Sequence, residues 1–137
     1  MHLTLAFLGA VPVTQLPLLA DIARQIKAPS FDLGLDCCAY WPRQQLIWAG
    51  CRRPPAALLH LSADLHSALA LAGFIKPHRA GGFRPHVTLL RKALAAPAPD
   101  FSPRPAIWSC TQFALVRSQQ SSAGSAYQQL ATFPLPS

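Results

Sequence analysis

The chain runs to 137 residues, of which 51% are hydrophobic and 12% charged. That length suits one domain, taken as 1–137, with a core of its own, and the apolar, charge-poor composition excludes a disordered chain. Nine arginines and three lysines against five aspartates and no glutamate leave a formal charge of +7. This favours an anionic partner such as nucleic acid, a nucleotide or a membrane surface, although an arginine-for-lysine composition with Ala and Pro in the loops yields the same excess.

Residues 2–8, HLTLAFL, read as a strand with apolar character on both faces, closed by Gly9. No basic lead precedes it and Pro12 breaks the apolar stretch, so no signal peptide is expected. Nor does any run reach the ~18 apolar residues of a membrane span, and a cytoplasmic protein is expected. Thr14 is placed to cap a helix running to about Lys27, with Leu16, Leu19, Ile22, Ala23 and Ile26 on one face. Phe31, Leu33, Leu35 and Cys37 alternate with Asp32, Gly34 and Asp36, the pattern of a half-buried strand. QLIWAG at 45–50 is the next strand, and an apolar helix follows from about Ala56 to Ala72, stopped by Gly73. A Gly/Arg/Pro loop, 78–85, leads into a strand at 86–91, and the Ala/Pro-rich stretch 93–105 reads as a surface connector. Strands at about 107–117 and 126–134 close the chain, joined by a loop at Gln119–Ser125 that is expected to be mobile. Half-buried strands interleaved with helices predict an α+β domain, its sheet largely antiparallel and its helices outside.

Two of these strands share one pattern: His2-Leu3-Thr4-Leu5 and His86-Val87-Thr88-Leu89. Side chains alternate across a strand, so His and Thr two apart face the same way. Two such strands side by side bring two imidazoles and two hydroxyls to one cleft. That set suits displacement at a phosphate diester: one histidine takes a proton from water and the other gives one to the leaving oxygen. Histidine titrates near neutrality, so both roles are open without a metal, and the threonines hydrogen-bond phosphate oxygens. One His-x-Thr alone is weak evidence; two in matching strand contexts are much stronger.

HLTLAFLG at the start and FRPHVTLLR at 83–91 resemble the signatures of the 2H phosphoesterase superfamily. Within it the chain is most similar to the RNA 2′,3′-cyclic phosphodiesterases, often named 2′-5′ RNA ligases, and the likeness continues through FDLGLD, LIWAG and the late strand with Tyr127. The resemblance implies two pseudo-symmetric lobes around a cleft, each supplying one His-x-Thr, with His2, Thr4, His86 and Thr88 as the active-site tetrad. It implies opening of RNA 2′,3′-cyclic phosphate ends to a 2′-phosphate with neither metal nor cofactor, and in some members reversible 2′-5′ joining. RNA ends or cyclic nucleotides are the implied partners. His2 is assigned as the acid for the departing 3′ oxygen and His86 as the base for water. Family members carry some tens of residues before the first motif, whereas this chain begins at it. The expectation is therefore a domain without the usual first strand and helix, monomeric but able to dimerise through an exposed edge. Two other readings stand beside the enzyme: a non-catalytic RNA or nucleotide binding module, and a truncated fragment inactive by itself.

Arg79, Arg84 and Arg91 surround the second motif and are candidate phosphate ligands. Strict alternation from His86 turns Arg91 to the opposite strand face. Phe83 and Tyr127 are the candidates for base contact. Phe7, Trp41, Trp48 and Trp108 are expected in the core or along the cleft, and His78 on an exposed loop. His60 and His66, six apart on a helix, do not share a face as i, i+4 ligands do and read as bystanders. No His, Cys and carboxylate set has zinc spacing and the aspartates form no magnesium site, so no metal is expected. Cys37, Cys38, Cys51 and Cys110 form no C-x-x-C pair and are expected as reduced thiols.

Overall fold

The computed structural model describes residues 1–77, 82–97 and 104–137. A 3-10 turn at Val13–Gln15 leads into helix α1, Leu16–Gln25. Thr14 lies inside that turn and makes no side-chain cap. The helix is started by Pro17 in its first turn, where proline has the helical φ and no N–H to leave unpaired. Leu19 and Ala23, one turn apart, are its buried residues.

Strand β1, Phe31–Leu35, buries Leu33 and Leu35 as the alternation predicts. The chain then changes sheets at Asp36. Its amide donates to the Gly50 carbonyl, and its carboxylate accepts from the Arg52 amide, each at 2.9 Å. So the pattern read to Cys37 is two elements: Cys37 opens β2, Cys37–Trp41, which pairs with β3, Leu46–Gly50. Helix α2, Ala56–Leu71, buries Leu58, Leu61, Ser62, Leu65 and Leu69 along one stripe. It stops at Gly73 as expected. Gly73 takes φ +83°, its amide bonds the Ala70 carbonyl, and the Phe74 amide bonds the Leu69 carbonyl. Two such bonds wrapped back over the last turn form a Schellman stop, which only a residue at ease in the left-handed region makes cheaply. Among the described residues no helix is long and apolar enough to cross a membrane.

Strands β4, His86–Leu90; β5, Ala106–Cys110; β6, Gln112–Ser121; and β7, Gly124–Pro134, complete the fold. Among the described residues, three antiparallel sheets form: β2-β3-β4, β1-β5 and β6-β7. The domain is α+β and antiparallel, as the sequence predicts. Two expectations change. The stretch 119–125 is not a mobile loop, because β6 and β7 stay paired to Ser121↔Gly124 and make one long hairpin. Residues 2–8 do not form a full strand. Among the described residues of that stretch only Leu3 pairs, in a single antiparallel bridge to Val87, and the chain bends at Leu5.

Side-chain burial holds that segment where the ladder does not. Leu33, Leu35, Leu58 and Val87 make one core cluster, Leu19, Leu65 and Leu69 a second, and Ala28, Leu61 and Leu135 a third. Leu5 packs against all three, and Leu3 against the first. The apolar half of the first motif is thus spent on the core, which leaves its polar half facing out.

Candidate active site

The Leu3↔Val87 bridge sets the register of the two motifs. In an antiparallel pair, residues flanking a bridge face each other in crossed order, so His2 lies opposite Thr88 and Thr4 opposite His86. Val87 is fully buried, so these four neighbours occupy the other, outward face. The two imidazoles sit on a diagonal of this square, a spacing of about 7–8 Å between backbones.

Each histidine has its own setting. The His86 Nδ1–H donates to the Arg84 carbonyl at 2.8 Å. A carbonyl only accepts, so this bond keeps the proton on Nδ1 and leaves Nε2 with a lone pair in the neutral ring. Trp41 meets the His86 ring edge-on at 4.7 Å between centroids, and Trp48 stands 6.1 Å away. His2 lies against Tyr127 of β7, centroids 4.8 Å apart. A cavity of about 320 Å³ opens beside it, lined by Met1, His2, Thr88, Leu89, Arg91 and Tyr127. A larger hollow of about 430 Å³, lined by Met1, Leu35, Ala106, Ile107, Trp108 and Ser109, holds no titratable side chain.

Arg91 lines the cleft, which corrects the face assigned by alternation. The cause is a β-bulge. Thr88 pairs with Trp48, but it is Leu90, not Leu89, that pairs with Ile47. Leu89 is the extra residue, and an extra residue in one strand reverses the facing of all that follow. Leu90 therefore faces away from Thr88, and Arg91 returns to the side of His86 and Thr88.

Other sequence candidates part company. Phe83 packs against the core cluster of Leu33, Leu35, Leu58 and Val87, so of the two base-contact candidates only Tyr127 borders the cavity. Arg84 supplies its main-chain carbonyl to His86, and its side chain is exposed. Arg79 and His78, and residues 98–103 of the connector, lie outside the described residues. Phe7 is 81% exposed and belongs to neither core nor cleft. Among the described residues no three His, Cys or acidic side chains gather as metal ligands. All four cysteines are free of disulfides. Burial pushes the Cys110 thiol up, with Asp32 adding to it, and burial pushes Cys38 up as well, so neither is a ready thiolate.

Two features escape sequence reasoning. One is the indole pair beside His86, which only the β2-β3-β4 register reveals. The other is Gly50, paired with His86 across the sheet. A Cβ there would lie 2.5 Å from the Trp48 ring and 3.3 Å from the Pro85 carbonyl; the missing side chain is the slot the indole fills. Gly50→Ala is expected to lower stability by about 1–3 kcal/mol through overpacking. By displacing Trp48 from His86 it should also slow turnover, up to about 100-fold. Urea denaturation and a rate assay on the same variant check both.

The sequence profile of the 2′-5′ RNA ligase superfamily matches residues 1–121. The chain is 36% identical over 140 residues to the RNA 2′,3′-cyclic phosphodiesterase of Escherichia coli (strain K12), covering 98% of this chain and 76% of that protein. To the RNA 2′,3′-cyclic phosphodiesterase of Thermus thermophilus it is 32% identical over 151 residues, covering 98% of this chain and 72% of that one. The crystal structure of E. coli LigT complexed with 3′-AMP is similar with a TM-score of 0.80 at 32% identity, covering 99% of this chain and 76% of that chain.

Proposed function

The chain belongs to the 2′-5′ RNA ligase superfamily, and from that premise we propose that it hydrolyses RNA 2′,3′-cyclic phosphate ends to 2′-phosphates without a metal, His2 and His86 sharing the proton transfers. The observation that carries this reading is the Leu3↔Val87 register, which puts two imidazoles and two threonines on one face. The relatives' names supply the substrate class, and a similar structure holds 3′-AMP.

In this reading the phosphate lies between the histidines, its oxygens taking hydrogen bonds from Thr4 and Thr88. His86 Nε2 removes a proton from water as the water oxygen attacks phosphorus. The bond from phosphorus to the 3′ oxygen breaks, His2 gives that oxygen a proton, and a 2′-phosphate and a 3′-hydroxyl remain. The Arg84 carbonyl supports the base role of His86, because holding the proton on Nδ1 leaves the lone pair on Nε2 to accept one. Arg91 neutralises the charge that builds on the phosphate oxygens, and Tyr127, half exposed beside His2, offers a face for a base. The same displacement with a ribose 5′-hydroxyl attacking in place of water breaks the same bond to the 3′ oxygen and joins RNA pieces 2′-5′. All these residues come from one chain, so a monomer suffices, and its RNA substrate is met in the cytoplasm.

The test is hydrolysis of a nucleoside 2′,3′-cyclic phosphate in the presence and absence of EDTA. Equal rates with a 2′-phosphate product are expected. A rate that vanishes with EDTA overturns the metal-free mechanism, and salt-sensitive binding without product favours a binding module instead.

A further inference from the structure

Resting on that reading, we propose that His66 is a positioning residue for the His2–Thr4 half of the site. Its imidazole Nε2 stands 2.9 Å from the Leu5 carbonyl oxygen. A carbonyl only accepts, so Nε2 carries the proton and donates. His66 is part-buried on α2, one residue after the buried Leu65 and three before the buried Leu69, so its backbone is held by the core.

The N-terminal segment needs such a hold. Among the described residues its only pairing with a strand is the Leu3↔Val87 bridge, and no other described side chain hydrogen-bonds residues 1–11. Burial of the Leu5 side chain against the three core clusters fixes where the segment lies, but apolar packing is non-directional. The bond to the Leu5 carbonyl fixes how the following peptide plane is turned. That orientation decides function here, because a slip of one residue exchanges the two faces of an extended segment. It would turn Leu3 outward and carry His2 and Thr4 away from His86 and Thr88. His66 thus stands in, from helix α2, for the ladder bonds that a full strand would have had.

The experiment exploits the difference between the two imidazole nitrogens. The His66→Gln amide nitrogen falls near Nε2 and reaches the Leu5 carbonyl; the His66→Asn amide nitrogen falls near Nδ1 and does not. His66→Gln is expected to keep kcat within about threefold of wild type. His66→Asn is expected to lose kcat by roughly ten- to a hundredfold, the cost of a displaced catalytic group, with KM within about threefold. Hydrogen exchange should show the bridge between Leu3 and Val87 protecting its amides in His66→Gln and losing that protection in His66→Asn, with α2 protected in both. Equal kcat in the two variants, whether both are active or both impaired, overturns the proposal. So does retention of activity by His66→Asn alone. An inactive wild type would instead count against the proposed reaction, and the exchange pattern at that bridge would still decide the role of His66.

Discussion

Replacing His86 by alanine is expected to lower kcat for a nucleoside 2′,3′-cyclic phosphate by about 10²–10⁴-fold, the usual worth of a positioned acid or base, with KM little changed. That range corresponds to about 3–5 kcal/mol of transition-state stabilisation. The fold should survive. His86 is only partly buried and its side-chain hydrogen bond is to the Arg84 carbonyl, which the loop leaves open to water. A substrate with a p-nitrophenolate leaving group separates the two histidines, because so weak a base departs without help from an acid. On that substrate His2→Ala should recover most of its lost rate, and His86→Ala should not. The opposite pattern reverses the acid and base roles, and wild-type rates in His86→Ala on the cyclic phosphate remove the residue from the mechanism.

Arg91→Ala is the second large effect expected, a loss of about 10²–10³-fold in kcat, the scale seen when one preorganised donor to developing charge is removed. Arg91 shares a cavity with His2, Thr88 and Tyr127, beside the place the proposed mechanism gives the phosphate. Arg91→Lys should restore only part of the rate. Lysine supplies a point charge but not the planar pair of N–H groups that matches two phosphate oxygens. Single-turnover rates for the three proteins check this; a loss confined to KM would make Arg91 a ground-state binding residue.

Much of this site is legible in the sequence, and the reasons for its limits are physical. Periodicity finds α2 and its stop at Gly73 because a buried stripe and a left-handed residue leave local marks. The paired His-x-Thr motifs are legible because alternation over three residues is short enough to be safe. Carried to Arg91, the same rule fails, since one bulge reverses it and a bulge answers to the partner strand rather than to local residue choice. The hairpin β6–β7 hides for a related reason: Gln, Ser and Ala in 119–126 have the composition of a loop and become strand only by pairing with each other. Spacing makes His66 a bystander, since His60 is six residues away and not at the spacing of paired metal ligands. Its contact is with a carbonyl 61 residues away in the chain, a kind of partner that side-chain spacing never reveals. Trp41 and Trp48 meet His86 only through the register of three strands.

The bulge at Leu89 has a consequence for anyone moving this chemistry to another scaffold. Here the arginine follows the histidine by five positions, an odd offset that works only because one position is absorbed. On a regular strand the same groups share a face at an even offset, so a transplanted site needs its arginine four or six residues after the histidine, and copying the native spacing would graft the guanidinium onto the wrong side.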